Sequence, residues 1–229
     1  MAPKTGTRKR DPKEKRADTV HEIRPCATQL PLPPPFSVAS DDLAGVACRG
    51  VVVPTIFTIG HSTLEPDEFL ALIRLHGVGT VVDVRSAPYS RYASQFNRGN
   101  LEAFLGEASI GYRWSGESLG GRPNDPACYH GGEMRVGNVD YAALARQPWY
   151  QEGARSLLEI AAKGSTAIMC SEEDPRRCHR HRLIERSLHE WGVPVLHIRR
   201  DGALEAIDLE DAMPEEIPDP QLALAGFGP

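Results

Sequence analysis

Long apolar runs are absent from this 229-residue sequence, and its first residues lack the apolar stretch of a secretory signal. A membrane-spanning helix needs roughly 18 consecutive apolar residues, and no segment approaches that length. The chain begins MAPKTGTRKRDPKEKR, which is basic and contains proline. The sequence therefore predicts a cytoplasmic protein that does not enter a membrane.

Cysteine is also scarce, since the chain has only five cysteines and an odd number cannot pair completely. Disulfide scaffolds are usually shorter secreted domains in which cysteine is dense. We therefore expect reduced thiols that are available for packing, metal binding or catalysis. The five are Cys26, Cys48, Cys128, Cys170 and Cys178.

Charge is distributed unevenly, although the net value is only −5. Residues 1–52 combine basic runs with the proline-rich stretch Pro31–Pro35, and they contain few apolar residues in periodic order. Such a composition cannot offset the entropy lost on folding, so we expect a disordered extension. Residues 201–229 contain eight Asp/Glu and no Lys or Arg, which predicts an acidic tail. Residues 53–200 are predicted to form one α/β domain.

Short β-branched runs alternate with helical patterns inside this predicted domain. Strands are expected at Thr55–Gly60, Thr80–Val84, Gly111–Trp114, Ser165–Cys170 and Val193–Ile198. Helices are expected between them, at about 66–76, 101–110, 141–146, 149–163 and 176–191. This alternation favours right-handed crossovers and a mostly parallel sheet covered on both faces. Ligands bind such sheets at the carboxyl ends of the strands.

The residues after the second predicted strand change from apolar to densely polar. They run DVRSAPYSRYASQFNR, beginning at Asp83, and interleave arginines with aromatic residues. Because guanidinium groups bind phosphate or carboxylate, we predict that Arg85 and Arg91 bind an anion. Tyr89 or Tyr92 would stack on a base. This interpretation expects Arg85 at the surface, serving ligand binding more than stability. The alternative is a structural turn in which Asp83 pairs with Arg85.

The segment CSEEDPRRCHRHR, beginning at Cys170, combines thiols, imidazoles and arginines. Cys170 ends a predicted strand, and Cys178 and His179 are expected in the first turn of the next helix. Thiols near helix amides and arginines tend toward the nucleophilic thiolate. Three interpretations remain open: a cysteine nucleophile with His179 or His61 as base, a pair of packed cysteines, and a metal site that adds His181. Because no C-x-x-C pair is present, no metal ligand is assigned.

Cys170 and Arg176 also fit C-x5-R, the loop pattern of phosphatases and sulfurtransferases, in which backbone amides surround an oxyanion or persulfide. Here the loop contains three carboxylates and a proline. Carboxylates raise the pKa of a neighbouring thiol and repel anions. The pattern is therefore a weak indication of that chemistry.

Four motifs follow one another along the chain: TIGHS, DVRSAPYSRY, GYRW with SLGGRP, and MCSEEDPRRCHRHRLI. Together they resemble the bacterial and archaeal family called domain of unknown function 488, over about residues 55–199. The resemblance implies a single Rossmann-like α/β domain. It also implies hallmark positions without assigning them a role: Gly60, His61, Ser62, Asp83, Arg85, Pro88, Ser90, Arg91, Gly120, Gly121, Cys170, Glu172, Cys178, His179 and Arg180.

Three functions stay open at this point. The first is a cysteine-dependent enzyme acting on an anionic nucleotide or nucleic-acid-derived substrate, with the candidate catalytic residues Cys170, Cys178, His179, His61 and Asp83. Its candidate substrate-binding residues are Ser62, Arg85, Tyr89, Ser90, Arg91, Gly120, Gly121, Glu172 and Arg180. The alternatives are a non-catalytic nucleotide-binding or nucleic-acid-binding module, and a metal-binding protein using the Cys170–His181 segment. Neither a particular cofactor nor an oligomeric state is predicted.

We predict that residues 1–50 are dispensable for folding, because they lack periodic apolar residues. A chain beginning at Val51 should unfold cooperatively, at a melting temperature within about 3 °C of the full chain, because the sequence of the removed residues shows no core pattern. Circular dichroism during heating compares the two chains. A broad, non-cooperative transition in the shorter chain would show that the extension belongs to the core.

Overall fold

A computed structural model describes residues 53–209 of the chain, and the predicted extension and most of the predicted acidic tail lie outside these residues. One sheet contains six strands: β1 Ile56–Gly60, β2 Thr80–Asp83, β3 Gly111–Trp114, β4 Thr166–Cys170, β5 Val195–Ile198 and β6 Leu204–Glu205. Their order is β3-β2-β4-β1-β5-β6. β1 to β5 run parallel, and only β6 is antiparallel to its neighbour. The expected α/β fold is therefore confirmed.

Helical segments connect the parallel strands. The α-helices are α1 Pro66–Leu75, α2 Arg98–Glu107, α3 Gly116–Leu119, α4 Tyr141–Ala145, α5 Pro148–Ala161 and α6 Arg186–Glu190. A π-helix, Arg180–Glu185, runs directly into α6, and short 3₁₀ turns occupy Ser94–Phe96, Pro126–Cys128, His130–Gly132 and Pro175–Arg177. In the described part of the chain, no helix has both the length and the apolar character needed to cross a membrane.

Helix α1 follows directly from its sequence. Pro66 occupies the first turn, where its missing N–H has no intrahelical partner to lose. Glu65 and Glu68 form a reciprocal capping box at the amino-terminal end. Phe69 and Ile73 lie one turn apart and are buried against the sheet. The helix ends before Gly77, whose φ of 64° suits a residue without a Cβ.

Alternation along the strands divides the core into two layers. Val81 and Met169 face one side of the sheet and pack with α1 and α2. Val82 and Ile168 face the other side and pack with α5, the π-helix and α6. Each fully buried aliphatic side chain of this kind contributes about 1.5–3 kcal/mol. The sheet is consequently covered on both faces, as expected.

The strand order reverses at the centre of the sheet. The chain leaves β1 through α1 toward β2 and β3, whereas it leaves β4 through the π-helix and α6 toward β5 on the other side. Because β1 lies beside β4, and β4 lies beside β2, the carboxyl ends of these three strands meet at one edge. Open α/β sheets bind ligands at such a reversal.

The helix predicted over 176–191 differs from the observed structure. A 3₁₀ turn at Pro175–Arg177 ends at Cys178, which is extended with φ −114° and ψ 149°. Cys178 therefore precedes the π-helix and does not lie in a first helical turn. Its carbonyl accepts from the backbone N–H of Arg182 at 3.1 Å, and its sulfur accepts from the N–H of Arg180 at 3.5 Å. Through these two contacts, Cys178 caps the first backbone N–H groups of the π-helix.

The sequence places the end of the domain near residue 200, whereas the sheet continues through β6. Leu204 pairs with Ile198, and Ile207 beyond it is only 7% exposed. Glu205 forms ion pairs with Arg176 and Arg199. A two-residue strand has too few positions to show an alternating pattern, so β6 could not be predicted from periodicity.

We predict that a chain ending at Arg200 is less stable than a chain ending at Leu209. The shorter chain loses β6 and the buried side chain of Ile207. Burial of one isoleucine corresponds to about 1.5–3 kcal/mol, so the free energy of unfolding should fall by about 2 kcal/mol. Urea unfolding of both chains measures this difference. Equal urea midpoints would show that the domain ends near residue 200.

Candidate functional site

A pocket of about 500 Å³ opens at the edge where β2 and β4 end. Three segments line it: residues 85–90 after β2, part of the long connection 121–141, and residues 170–182 after β4. Long loops inside compact domains are often functional, and this connection reaches the pocket. The pocket therefore lies where the strand order predicts a ligand site.

Two cysteines and a histidine meet at the pocket. Sγ of Cys170 lies 3.9 Å from Nδ1 of His179, and Sγ of Cys178 lies 3.7 Å from the same nitrogen. All three atoms lie within 4.8 Å of one another. The residues are 8%, 2% and 8% exposed, respectively for Cys170, Cys178 and His179. We call this group the Cys–Cys–His cluster.

The orientation of His179 is fixed from two sides. Its Nε2 lies 3.1 Å from the carbonyl oxygen of Val84, which can only accept a hydrogen bond. Nε2 therefore carries a proton, and Nδ1 faces the two sulfurs. Gly121 packs against the ring so closely that a Cβ there would lie 2.7 Å from it. Gly121 thus serves the site by allowing this contact.

Arg180 is 1% exposed and contacts the Cys–Cys–His cluster through Cys178. Its Nε donates to Sγ of Cys178 at 3.3 Å, and its Nη1 donates to Oγ1 of Thr58 at 2.9 Å. Its Nη2 donates to the carbonyl oxygens of Glu172 and Glu173. A buried guanidinium is tolerated only when its donors are satisfied, and these partners satisfy it.

The pKa values of the two thiols are shifted in opposite directions. Burial acts to raise the pKa of Cys178, but the Cys170 thiol and the positive charges of His179 and Arg180 outweigh burial and lower the pKa well below its usual value. The pKa of Cys170 is raised by its hydrogen bond to Cys178 and by burial. Of the two candidate thiols, the surroundings favour the thiolate form at Cys178.

A second buried network lies behind Arg180. Oγ1 of Thr58, which accepts from Arg180, lies 2.7 Å from Nδ1 of His197. Nε2 of His197 and Nδ1 of His181 lie 2.9 Å and 2.6 Å from one oxygen of Glu185. In the metal-site interpretation left open above, His181 would join Cys170, Cys178 and His179, but here it lies with Glu185 and His197. Residues two positions apart do not share a helix face, so His181 points away from the cluster.

On the other face of the sheet, Asp83 and Arg85 form a buried ion pair. Oδ2 of Asp83 accepts from Nη2 of Arg85 at 2.7 Å and from the Tyr112 hydroxyl at 2.8 Å. Nη2 of Arg85 also donates to the Phe96 carbonyl at 2.7 Å. Arg85 is 4% exposed, so the expectation that it is a surface residue is wrong. The ion pair between Asp83 and Arg85, which was the alternative interpretation of this segment, is present.

His61 completes this ion-pair network. Its Nε2 accepts from Nη1 of Arg85 at 3.2 Å, and its ring stacks on Phe96 with centroids 4.4 Å apart. Nδ1 donates to the carbonyl oxygen of Ser62 at 3.1 Å. Burial and the positive charge of Arg85 lower the pKa of His61 to about 4. Both ring nitrogens are thus engaged, and His61 is neutral near pH 7.

The predicted site residues divide into two groups by position. Those that line the pocket are Arg85, Tyr89, Ser90, Gly121, Cys170, Glu172, Cys178 and His179. Those that do not line it are His61, Ser62, Asp83, Arg91, Gly120 and Arg180. Arg91 instead lies over the ring of Tyr92 at 4.7 Å from its centroid, and the Ser62 backbone N–H donates to Ser171. Eight of the predicted site residues therefore line this pocket, and six lie outside its lining.

Three arginines at the pocket were not assigned from the sequence: Arg122, Arg177 and Arg182. Nε of Arg182 is buried without a hydrogen-bond partner among residues 53–209, and its guanidinium lies 5.2 Å from the ring centroid of Tyr141. Arg176, the arginine of the C-x5-R pattern, pairs with Glu205 at 2.8 Å. The sequence shows a run of arginines near Cys178, but it does not indicate which of their side chains point into the pocket.

Fold and site together define an α/β domain with a Cys–Cys–His cluster at the carboxyl edge of its sheet. The family described as domain of unknown function DUF488 matches residues 65–187, which is more than half of the chain. The protein therefore belongs to this family, as its motifs predicted. Comparisons with curated proteins and with solved structures found no match.

We predict that Arg85→Ala destabilises the fold by about 3–5 kcal/mol, because the substitution leaves the carboxylate of Asp83 buried without its partner. Arg91→Ala is the control, since Arg91 is exposed and lies on the same segment. Its effect should stay within about 0.5 kcal/mol. Chemical denaturation gives both free energies of unfolding. If Arg85→Ala lowers the free energy of unfolding by less than about 1 kcal/mol, Arg85 serves ligand binding more than stability.

Proposed function

We propose that this protein is a cysteine-dependent enzyme acting on an anionic substrate of nucleotide size. The observation that carries the proposal is one pocket that joins arginine side chains to the Cys–Cys–His cluster. The arginines would hold the substrate, and the cluster would meet the reacting atom. The family match alone assigns no reaction.

An anion suits this pocket because its positive charges are available. Among residues 53–209, Arg122 and Arg177 form no ion pair. Nε of Arg182 is buried and has no acceptor within the described part of the chain, which is unfavourable unless a ligand supplies one. Glu172 also lines the pocket and would orient the anion by excluding it from one side. Guanidinium groups bind phosphate and carboxylate through paired hydrogen bonds.

The size and aromatic content of the pocket favour a nucleotide or a nucleic-acid-derived substrate. A volume of about 500 Å³ falls in the usual range for small-molecule sites. Tyr89 lines the pocket and is 75% exposed, so its ring is free to stack on a base. Arg85 has a smaller part in binding than the sequence suggested, because Asp83, Phe96 and His61 occupy most of its donors.

The Cys–Cys–His cluster in the pocket favours catalysis over simple binding. Buried thiols beside an imidazole and a buried guanidinium are reactive groups that a binding module does not need. His61 is not given the role of base, because Arg85 and Ser62 occupy its nitrogens. Asp83 likewise supports Arg85 and does not line the pocket. The direct roles fall to Cys170, Cys178 and His179.

We predict that Arg182→Ala weakens anion binding by at least roughly tenfold. Hydrogen bonds to charged groups contribute about 1.5–3 kcal/mol, and 1.4 kcal/mol corresponds to a factor of ten. Isothermal titration with phosphate, pyrophosphate and a panel of mononucleotides measures the affinities. Arg155→Ala is the control, because Arg155 pairs with Glu152 on the exposed side of α5. Equal affinity of wild type and Arg182→Ala for every anion would contradict the pocket assignment.

Conversion of the bound ligand separates an enzyme from a binding module. The wild-type chain should convert a nucleotide that it binds, as followed by mass spectrometry of the ligand. Cys178→Ser should retain binding and abolish conversion. Tight binding with no conversion of any ligand in the panel would favour the non-catalytic module.

A further inference from the structure

We infer that Cys170, Cys178 and His179 form a zinc site with three protein ligands and one coordination position open to the pocket. The inference assigns a cofactor to the proposed active site. Its catalytic meaning rests on the proposed function, whereas the binding of metal does not.

The spacing of the cluster is that of ligands around one ion. Zinc binds thiolate sulfur at about 2.3 Å and imidazole nitrogen at about 2.0–2.1 Å, so tetrahedral geometry separates sulfur from nitrogen by about 3.6 Å. The observed separations from Nδ1 of His179 are 3.9 Å to Cys170 and 3.7 Å to Cys178. One nitrogen lone pair cannot accept two strong hydrogen bonds, but it can share a central ion with two sulfurs.

The second buried cluster provides an internal comparison. There, nitrogens of His181 and His197 lie 2.6 Å and 2.9 Å from the same oxygen of Glu185. These are hydrogen-bond lengths, and they are shorter than the separation of about 3.3 Å between nitrogen and oxygen ligands of a tetrahedral zinc ion. We therefore assign a hydrogen-bonded network to this cluster and a metal to the Cys–Cys–His cluster.

The residues around the cluster are those that support metal ligands. Ligating histidines usually donate their second ring N–H to a carbonyl or carboxylate, and Nε2 of His179 donates to Val84 in this way. Two N–H groups of Arg180 donate to Sγ of Cys178, which favours the thiolate form needed for coordination. Gly121 holds the imidazole ring in place by direct contact.

The fourth position faces the pocket. All three ligand residues line it, and no further cysteine, histidine or carboxylate within residues 53–209 joins the cluster. Structural zinc sites are closed by four protein ligands, whereas catalytic sites have three and leave one position for water or substrate. An ion here would act as a Lewis acid at the end of an arginine-lined pocket.

Metal analysis of the full chain tests the inference. The protein, stripped with a chelator and reconstituted with zinc, should retain about one ion per chain after desalting. Cys178→Ser and His179→Asn should lose most of this zinc. Cys128→Ala and His181→Gln are the controls and should retain it, because Cys128 lies outside the cluster and His181 belongs to the second one. Circular dichroism establishes that each variant is folded.

Cobalt and alkylation add readouts on the wild-type chain, which need no variant to fold. Cobalt should give the visible bands of tetrahedral coordination and a thiolate-to-cobalt charge-transfer band. Iodoacetamide should label Cys178 slowly in the zinc form and at least roughly tenfold faster after chelation, because only a free thiolate is nucleophilic. Zinc retained by Cys178→Ser, or labelling unaffected by chelation, would overturn the inference.

The two proposals fail in different ways. Arg182→Ala should lose anion binding and keep its zinc, because Arg182 is not a ligand. A wild-type chain that binds anions but no zinc would overturn the metal site and leave the substrate pocket intact. A wild-type chain that binds zinc but none of the anions would overturn the substrate pocket and leave the metal site intact.

Discussion

The buried guanidinium of Arg180 is the interaction on which the site depends. It connects β1 through Thr58, the loop after β4 through the Glu172 and Glu173 carbonyls, and the pocket through Cys178. A charge removed from water must have its donors satisfied, so these four groups have little freedom to move. The path from Cys170 to Cys178, and with it the separation of the two sulfurs, is set by this requirement.

Two charged networks support the same edge of the sheet from opposite faces. Arg180 continues through Thr58 and His197 to Glu185 on the side of the π-helix. Arg85, paired with Asp83, packs with Phe96 on the side of α1 and α2. Buried ion networks of this kind contribute little net stability compared with apolar packing, but they fix geometry once formed. A rigid edge is what a site with defined ligand distances requires.

Much of the fold and the location of the site could be predicted from the sequence, because both follow from local patterns. Strand β4 is a short, fully buried run that ends at Cys170, and parallel strands bring such ends together. The choice among arginines could not be predicted. Arg85 lines the pocket but pairs with Asp83, and Arg176 pairs with Glu205. Arg177 and Arg182 also line the pocket. Side-chain direction there depends on the extended Cys178 and the π-helix, which no periodicity indicates.

X-ray absorption at the zinc edge of the reconstituted protein shows whether Cys170, Cys178 and His179 act as one centre open to the pocket. We expect a first shell with sulfur at about 2.3 Å and lighter atoms at about 2.0–2.1 Å, in equal numbers. The lighter atoms would be Nδ1 of His179 and one atom from solvent or substrate. A shell of nitrogen and oxygen alone, without sulfur, would contradict it.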